Sequence, residues 1–85
     1  GEKTMINQTE TLINIKRVSS SINGNPNFLL YFTNNIVIKT KNDNGINYAI
    51  SDRLLNKELD LTYKANKKSY SLIDFKLSTS KKETI

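Results

Sequence analysis

Phe28-Leu29-Leu30-Tyr31-Phe32-Thr33-Asn34-Asn35-Ile36-Val37-Ile38-Lys39-Thr40-Lys41-Asn42 is the stretch on which the fold turns. Residues 28–33 are a run of aromatic and aliphatic side chains, the composition of a strand. Asn34-Asn35 follows, and Asn tolerates the left-handed backbone that a two-residue hairpin turn requires. From residue 36 the chain alternates, with Ile36, Ile38 and Thr40 on one face and Val37, Lys39 and Lys41 on the other. The stretch reads as a β-hairpin of strand 2 (28–33) and strand 3 (36–42). Phe28, Leu30 and Phe32 are expected inside, which turns Tyr31 outward beside Val37 and Lys39. The inverted parity would bury Leu29 and Tyr31 and expose Phe28 and Phe32.

Upstream, residues 11–18 alternate Ile13 and Ile15 with Asn14 and Lys16, a half-buried strand 1. Val18 falls out of phase, so a β-bulge is expected near Lys16 and Arg17. Residues 19–27 hold the chain's one proline and an Asn23-Gly24 pair, the chemistry of a turn, and read as a loop. Met5 reads as a natural start. Residues 1–10 are expected to form a flexible segment, and the polar stretch 1–8 takes no part in the fold reading.

Downstream, Asn42-Asp43-Asn44-Gly45 ends strand 3. Ile46, Ala49, Ile50, Arg53 and Leu54 then recur at spacings of three and four, the stripe of a short amphipathic helix capped by Asp43 or Asn44. The competing reading is a strand over 47–51. Residues 58–65 set Leu59, Leu61 and Tyr63 against Asp60, Thr62 and Lys64, a strand 4. Asn66-Lys67-Lys68 is a polar turn. Residues 69–77 are strand 5, with Ile73, Phe75 and Leu77 expected inside and Leu72, Asp74 and Lys76 outside. Residues 78–85 are polar and expected to fray.

Three strands, one helix and two strands in residues 11–77 give the expectation of a single all-β domain. That order is shared by the OB-fold, the five-stranded Greek-key barrel. The expected architecture is a small OB-like β-barrel with one short helix between strands 3 and 4. An SH3-like barrel is the alternative if the helix fails. In the OB arrangement, the face of strands 2 and 3 and the loops joining strands 1–2 and 4–5 bind oligonucleotides or oligosaccharides.

Composition narrows the chemistry. The 85 residues contain neither cysteine nor histidine. This removes a disulfide framework, thiolate and imidazole catalysis, and the ligands on which zinc sites rest. The lack of cysteine fits a reducing compartment, and a cytoplasmic location is expected. No P-loop or dinucleotide fingerprint is present, so no enzymatic activity and no cofactor are expected. No apolar run approaches the roughly 18 residues of a membrane-spanning helix. Thirteen Lys and Arg against eight Asp and Glu give +5, a balance that favours anionic partners. Two of those cations are Arg and the rest are Lys, which favours contacts to a phosphate backbone over bidentate base readout. Abundant Lys, Asn and Ile also fit an AT-rich genome, a source of basicity unrelated to function.

Two candidate surfaces follow. Single-strand binding combines a cationic groove with aromatic faces, and Arg17, Tyr31, Lys39, Lys41, Lys67, Lys68 and Tyr70 are the residues expected to supply them. Tyr31 packing on a cross-strand neighbour is the plainer account of that residue. Leu29, Val37 and Leu72 fall on the outward parity and would form an apolar protein interface, one that would also serve a homodimer.

The middle of the chain resembles short β-domain proteins of phages and mobile genetic elements. The matching residues are Asn23-Gly24-Asn25-Pro26, Phe28 to Phe32, Lys39-Thr40-Lys41-Asn42 and Tyr48-Ala49-Ile50. The resemblance implies a small accessory protein working beside a replication or recombination enzyme. The expected function is a non-enzymatic module binding single-stranded nucleic acid or such a larger protein. The alternative is a protein-interaction domain, as in a phage-encoded inhibitor or assembly subunit. A secreted barrel binding an anionic glycan is a third reading, which an upstream signal peptide would favour.

Overall fold

The structure, a computed structural model, describes residues 4–67 and 69–78. Five strands close into a barrel in the order β1-β2-β3-β5-β4. They are β1 Thr4–Val18, β2 Asn27–Phe32, β3 Val37–Thr40, β4 Glu58–Ala65 and β5 Tyr70–Leu77. β3 and β5 run parallel, and the other pairs are antiparallel. The first half of β1 pairs with β4, from Thr4 with Ala65 to Thr11 with Glu58, and its second half pairs with β2. One long strand therefore joins the two ends of the sheet.

The hairpin parity holds. Leu30, Phe32, Ile38 and Thr40 are buried, Phe28 and Ile36 pack against the core, and Val37 and Lys39 are exposed. Its turn differs. The Phe32 N–H donates to the Ile36 carbonyl at 3.1 Å, so Thr33, Asn34 and Asn35 form the loop, with Asn35 at φ +69°. A three-residue loop ending in a left-handed residue is the next commonest hairpin solution.

Four other expectations are corrected. Residues 4–10, read as flexible, are part of β1. Ile6 packs on the core, and the polar side chains beyond it are satisfied: Tyr63 Oη donates to Gln8 Oε1 at 2.7 Å and Gln8 Nε2 to Glu10 Oε2 at 2.6 Å. Polarity hid the strand because its partner lies about fifty residues away in the chain. The β1 irregularity falls between Leu12 and Asn14, not at Lys16 and Arg17. It leaves Ile13 half exposed and Leu12 fully buried. On β5, Tyr63 pairs with Leu72 but Thr62 with Asp74, so Ile73 is an extra residue. That bulge reverses the parity. Leu72, before the bulge, is fully buried against the outward position expected; after it Phe75 packs on the core and Asp74 and Lys76 are exposed, as expected, while Leu77, on the side of Phe75, is half exposed at the strand end.

The helical segment is two 3-10 turns, Gly45–Ala49 and Asp52–Leu54, separated by extended backbone at Ile50 and Ser51. The Asn44 side chain caps the first, accepting from the Ile46 N–H at 3.1 Å. Ile50 and Leu54 enter the core as their spacing implies, whereas Ala49 and Arg53 are exposed. Ser78 is tied through its N–H to the Glu58 carbonyl at 2.9 Å. The rest of the expected tail, 79–85, lies outside the described residues.

Candidate functional site

The outer face of β2 and β3 is built by register. Lys16 pairs with Leu29, Leu29 with Lys39, Lys39 with Ser71, and Ser71 with Lys64. A lysine thus stands on alternate strands, roughly 10 Å from the next at strand spacing. Near one screening length the mutual repulsion is modest, while the field on a bound anion adds. One step along the same face, Asn14, Tyr31 and Val37 form a second row.

Leu29 and Lys39 are the centre of this face, because each lines two concavities. One, of about 440 Å³, runs from them to Asn27, Asn42 and the loop residues Ser19 to Ile22. The other, of about 330 Å³, runs to Val37, Asn66, Lys67 and Tyr70 at the β4–β5 turn. The result is a trough across β2 and β3 with a loop at either end. A smaller recess of about 90 Å³ sets Lys41 beside Lys64, Asn66 and Ser71.

The structure brings Lys39 and Lys67 together with Leu29 and Val37; Tyr70 edges the same concavity but is in register with the buried Ile38 and packs against the core instead of lying on the outer face. Tyr70 is half-buried, its ring edge-on to Tyr63 with centroids 5.3 Å apart. Tyr31 faces outward, as expected, in register with Val37 and half-buried. Arg17 is engaged elsewhere, its guanidinium 5.7 Å from the centroid of the Phe28 ring. Leu72 is excluded from any surface because the Ile73 bulge buries it. Lys68 lies outside the described residues.

The loop at the first end is fastened by one carboxylate. Asp43 accepts from Ser21 Oγ at 2.6 Å, Asn25 Nδ2 at 2.7 Å and Asn23 Nδ2 at 3.0 Å. Asn25 Oδ1 also accepts from Tyr48 Oη. Gly24, at φ +84°, makes the turn that its pairing with Asn23 implies. The Ser21, Asn25 and Asn23 donors favour the charged form and hold the Asp43 carboxyl below its ordinary value of 3.8. Beneath the loop lies a buried amide network. Asn27 Nδ2 donates to Asn42 Oδ1 at 2.7 Å and to the Ser19 carbonyl at 3.2 Å, and Thr40 Oγ1 donates to Asn27 Oδ1 at 3.2 Å. Asn47, fully buried, donates through Nδ2 to the carbonyls of Lys41 at 2.7 Å and Pro26 at 3.0 Å.

Sequence reasoning missed Lys16, Lys64, Asp43 and the buried Asn residues as parts of this site. The outward parity of Lys16 and Lys64 was a usable signal. Nothing local marks Asp43 as the partner of a loop some twenty residues earlier.

A further concavity, about 630 Å³, lies elsewhere, on β1, β4 and β5, among Asn7, Thr9, Asp60, Thr62, Asp74 and Lys76. Two carboxylates and one amine make it a poor seat for a polyanion. Several of its polar groups already bond each other: Thr9 Oγ1 to Asp60 Oδ1 at 2.7 Å and Thr62 Oγ1 to Asn7 Oδ1 at 2.8 Å. Among the described residues there is no group of three or more His, Cys, Asp or Glu placed to hold a metal, and no helix long and apolar enough to cross a membrane.

Strand order and closure define the class of this protein: a small, closed, five-stranded OB-like β-barrel, its helical insertion reduced to 3-10 turns. Comparison of the chain with protein-family models, curated protein sequences and solved structures finds no match.

Proposed function

We propose that this chain is a non-enzymatic accessory module that binds single-stranded nucleic acid along the outer face of β2 and β3. The strand would lie between the loop after β1 and the turn before β5. The observation that carries this reading is the Leu29–Lys39 pair, shared by two concavities that a loop closes at each end. Lys39, Lys67 and the Lys41–Lys64 pair suit phosphates, and Leu29 and Val37 suit the faces of bases. Lysine-only cations imply weak sequence preference. Work beside a replication or recombination protein of a mobile element, in the cytoplasm, is the setting that the resemblance and the lack of cysteine support.

The test is fluorescence anisotropy of a labelled strand of about 20 nucleotides over a salt series. Three or four phosphate contacts give a slope of log affinity on log salt of about −2 to −3 for a single strand. Absence of binding at low salt would refute the reading.

A second reading, a protein partner on the same face, draws on Val37, which is 38% exposed beside Leu29. It is narrower than the sequence implied, since Leu72 is not available. Val37→Asp should then abolish capture of that partner and leave the fold intact.

A further inference from the structure

Ile22 is 100% exposed. A lone exposed aliphatic residue is ordinary on a protein surface, but the position of Ile22 is not. The residues on either side of it, Ser21 and Asn23, both bond the Asp43 carboxylate, at 2.6 and 3.0 Å. The backbone adds two further ties, Gly24 N–H to the Ser21 carbonyl and Ser21 N–H to the Asn25 carbonyl, each 2.9 Å. The loop thus holds the backbone that carries Ile22 in place, and the apolar side chain contributes nothing to the core. A contact held in place beforehand loses less freedom on binding.

Ile22 also lines the concavity of about 440 Å³ that contains Lys39, a volume in the range of small-ligand sites. The rest of that lining includes the Ser19 and Ser20 hydroxyls and the Asn42 side chain. One cation, several hydrogen-bonding groups and the aliphatic side chains of Val18, Ile22 and Leu29 match the parts of a nucleotide: phosphate, base edge or sugar, and base face. Resting on the proposed nucleic-acid reading, we infer that Ile22 is a base-contacting anchor, packing its side chain against one nucleobase of the strand held by Lys39.

The test compares the wild-type chain and Ile22→Ser on two labelled strands of equal length, one of thymidylates and one of abasic units. Both strands carry the same phosphates. The inference predicts that Ile22→Ser weakens binding to the thymidylate strand about five- to tenfold, at the lower end of base-stacking effects, with the salt slope unchanged. It also predicts no change on the abasic strand, and wild-type affinity or better for Ile22→Phe. Equal affinities of wild type and Ile22→Ser for the thymidylate strand would overturn the inference and leave the groove reading standing. An equal loss on both strands would also overturn it, by assigning Ile22 an effect on loop shape. If the wild type binds neither strand, the groove reading fails and the inference falls with it.

Discussion

Leu29 and Lys39 face each other across the β2–β3 ladder and line the concavities on both sides of it. An aliphatic side chain beside a point charge, at the middle of a trough, is the unit on which the functional account rests. Lys39→Glu is therefore expected to weaken single-strand binding uniformly across sequences and to reduce the salt slope by about one contact. Anisotropy titrations at several salt concentrations check this. An unchanged slope would remove Lys39 from the site.

Leu72 and Val37 were read from the sequence as parts of one apolar interface, and the structure separates them. Leu72 is fully buried and Val37 is 38% exposed. Leu72→Ala should cost about 2–5 kcal/mol of stability by leaving a cavity. Val37→Ala should change it by less than about 1 kcal/mol. Urea denaturation of both variants is the measurement, and similar losses would contradict the bulge at Ile73.

What was legible here follows from which signals are local. The hairpin from Phe28 to Lys39 and the inward set Leu59, Leu61 and Tyr63 were readable because period-2 alternation reports directly on two faces. That signal fails at a bulge. One inserted residue, Ile73, exchanges the faces of β5 after it, and only the pairing with β4 reveals the insertion. The strand over residues 4–10 was invisible for a related reason. Its inward side carries Gln8 and Glu10, which are tolerated only because Tyr63 and Thr33 come to meet them. Of the site, the cationic and aromatic residues on strands 2 and 3 were legible by parity. The loop anchor was not, since it depends on Asp43 reaching back to Ser21, Asn23 and Asn25.

Asp43 makes the loop sensitive to acid. Its folded value lies below the ordinary 3.8, chiefly through the Ser21 hydrogen bond and then those of Asn25 and Asn23. The unfolded chain therefore takes up this proton first as pH falls. The tie is whole above 3.8 and is lost as pH drops through the lower, folded value. The side-chain amide resonances of Asn23 and Asn25 should hold steady from neutral pH to 3.8 and collapse toward free positions below it. Asp43→Asn should abolish that transition. Resonances that follow the same course in Asp43→Asn would contradict the assignment.

Asn47 joins the 3-10 segment to the strands. Replacing it with Ala leaves the Pro26 and Lys41 carbonyls without their amide donor, at a cost of about 1–3 kcal/mol. Thermal unfolding checks the loss. A variant as stable as the wild type would show that water replaces the amide without penalty.

The most direct test of the central claim is an amide chemical-shift map of the 15N-labelled chain during titration with a short single strand. The account predicts that the largest shifts fall on Leu29, Lys39, Ser19 to Ile22 and Asn66 to Tyr70, with the face formed by Thr9, Asp60 and Lys76 silent. Shifts confined to that opposite face, or none at all, would contradict it.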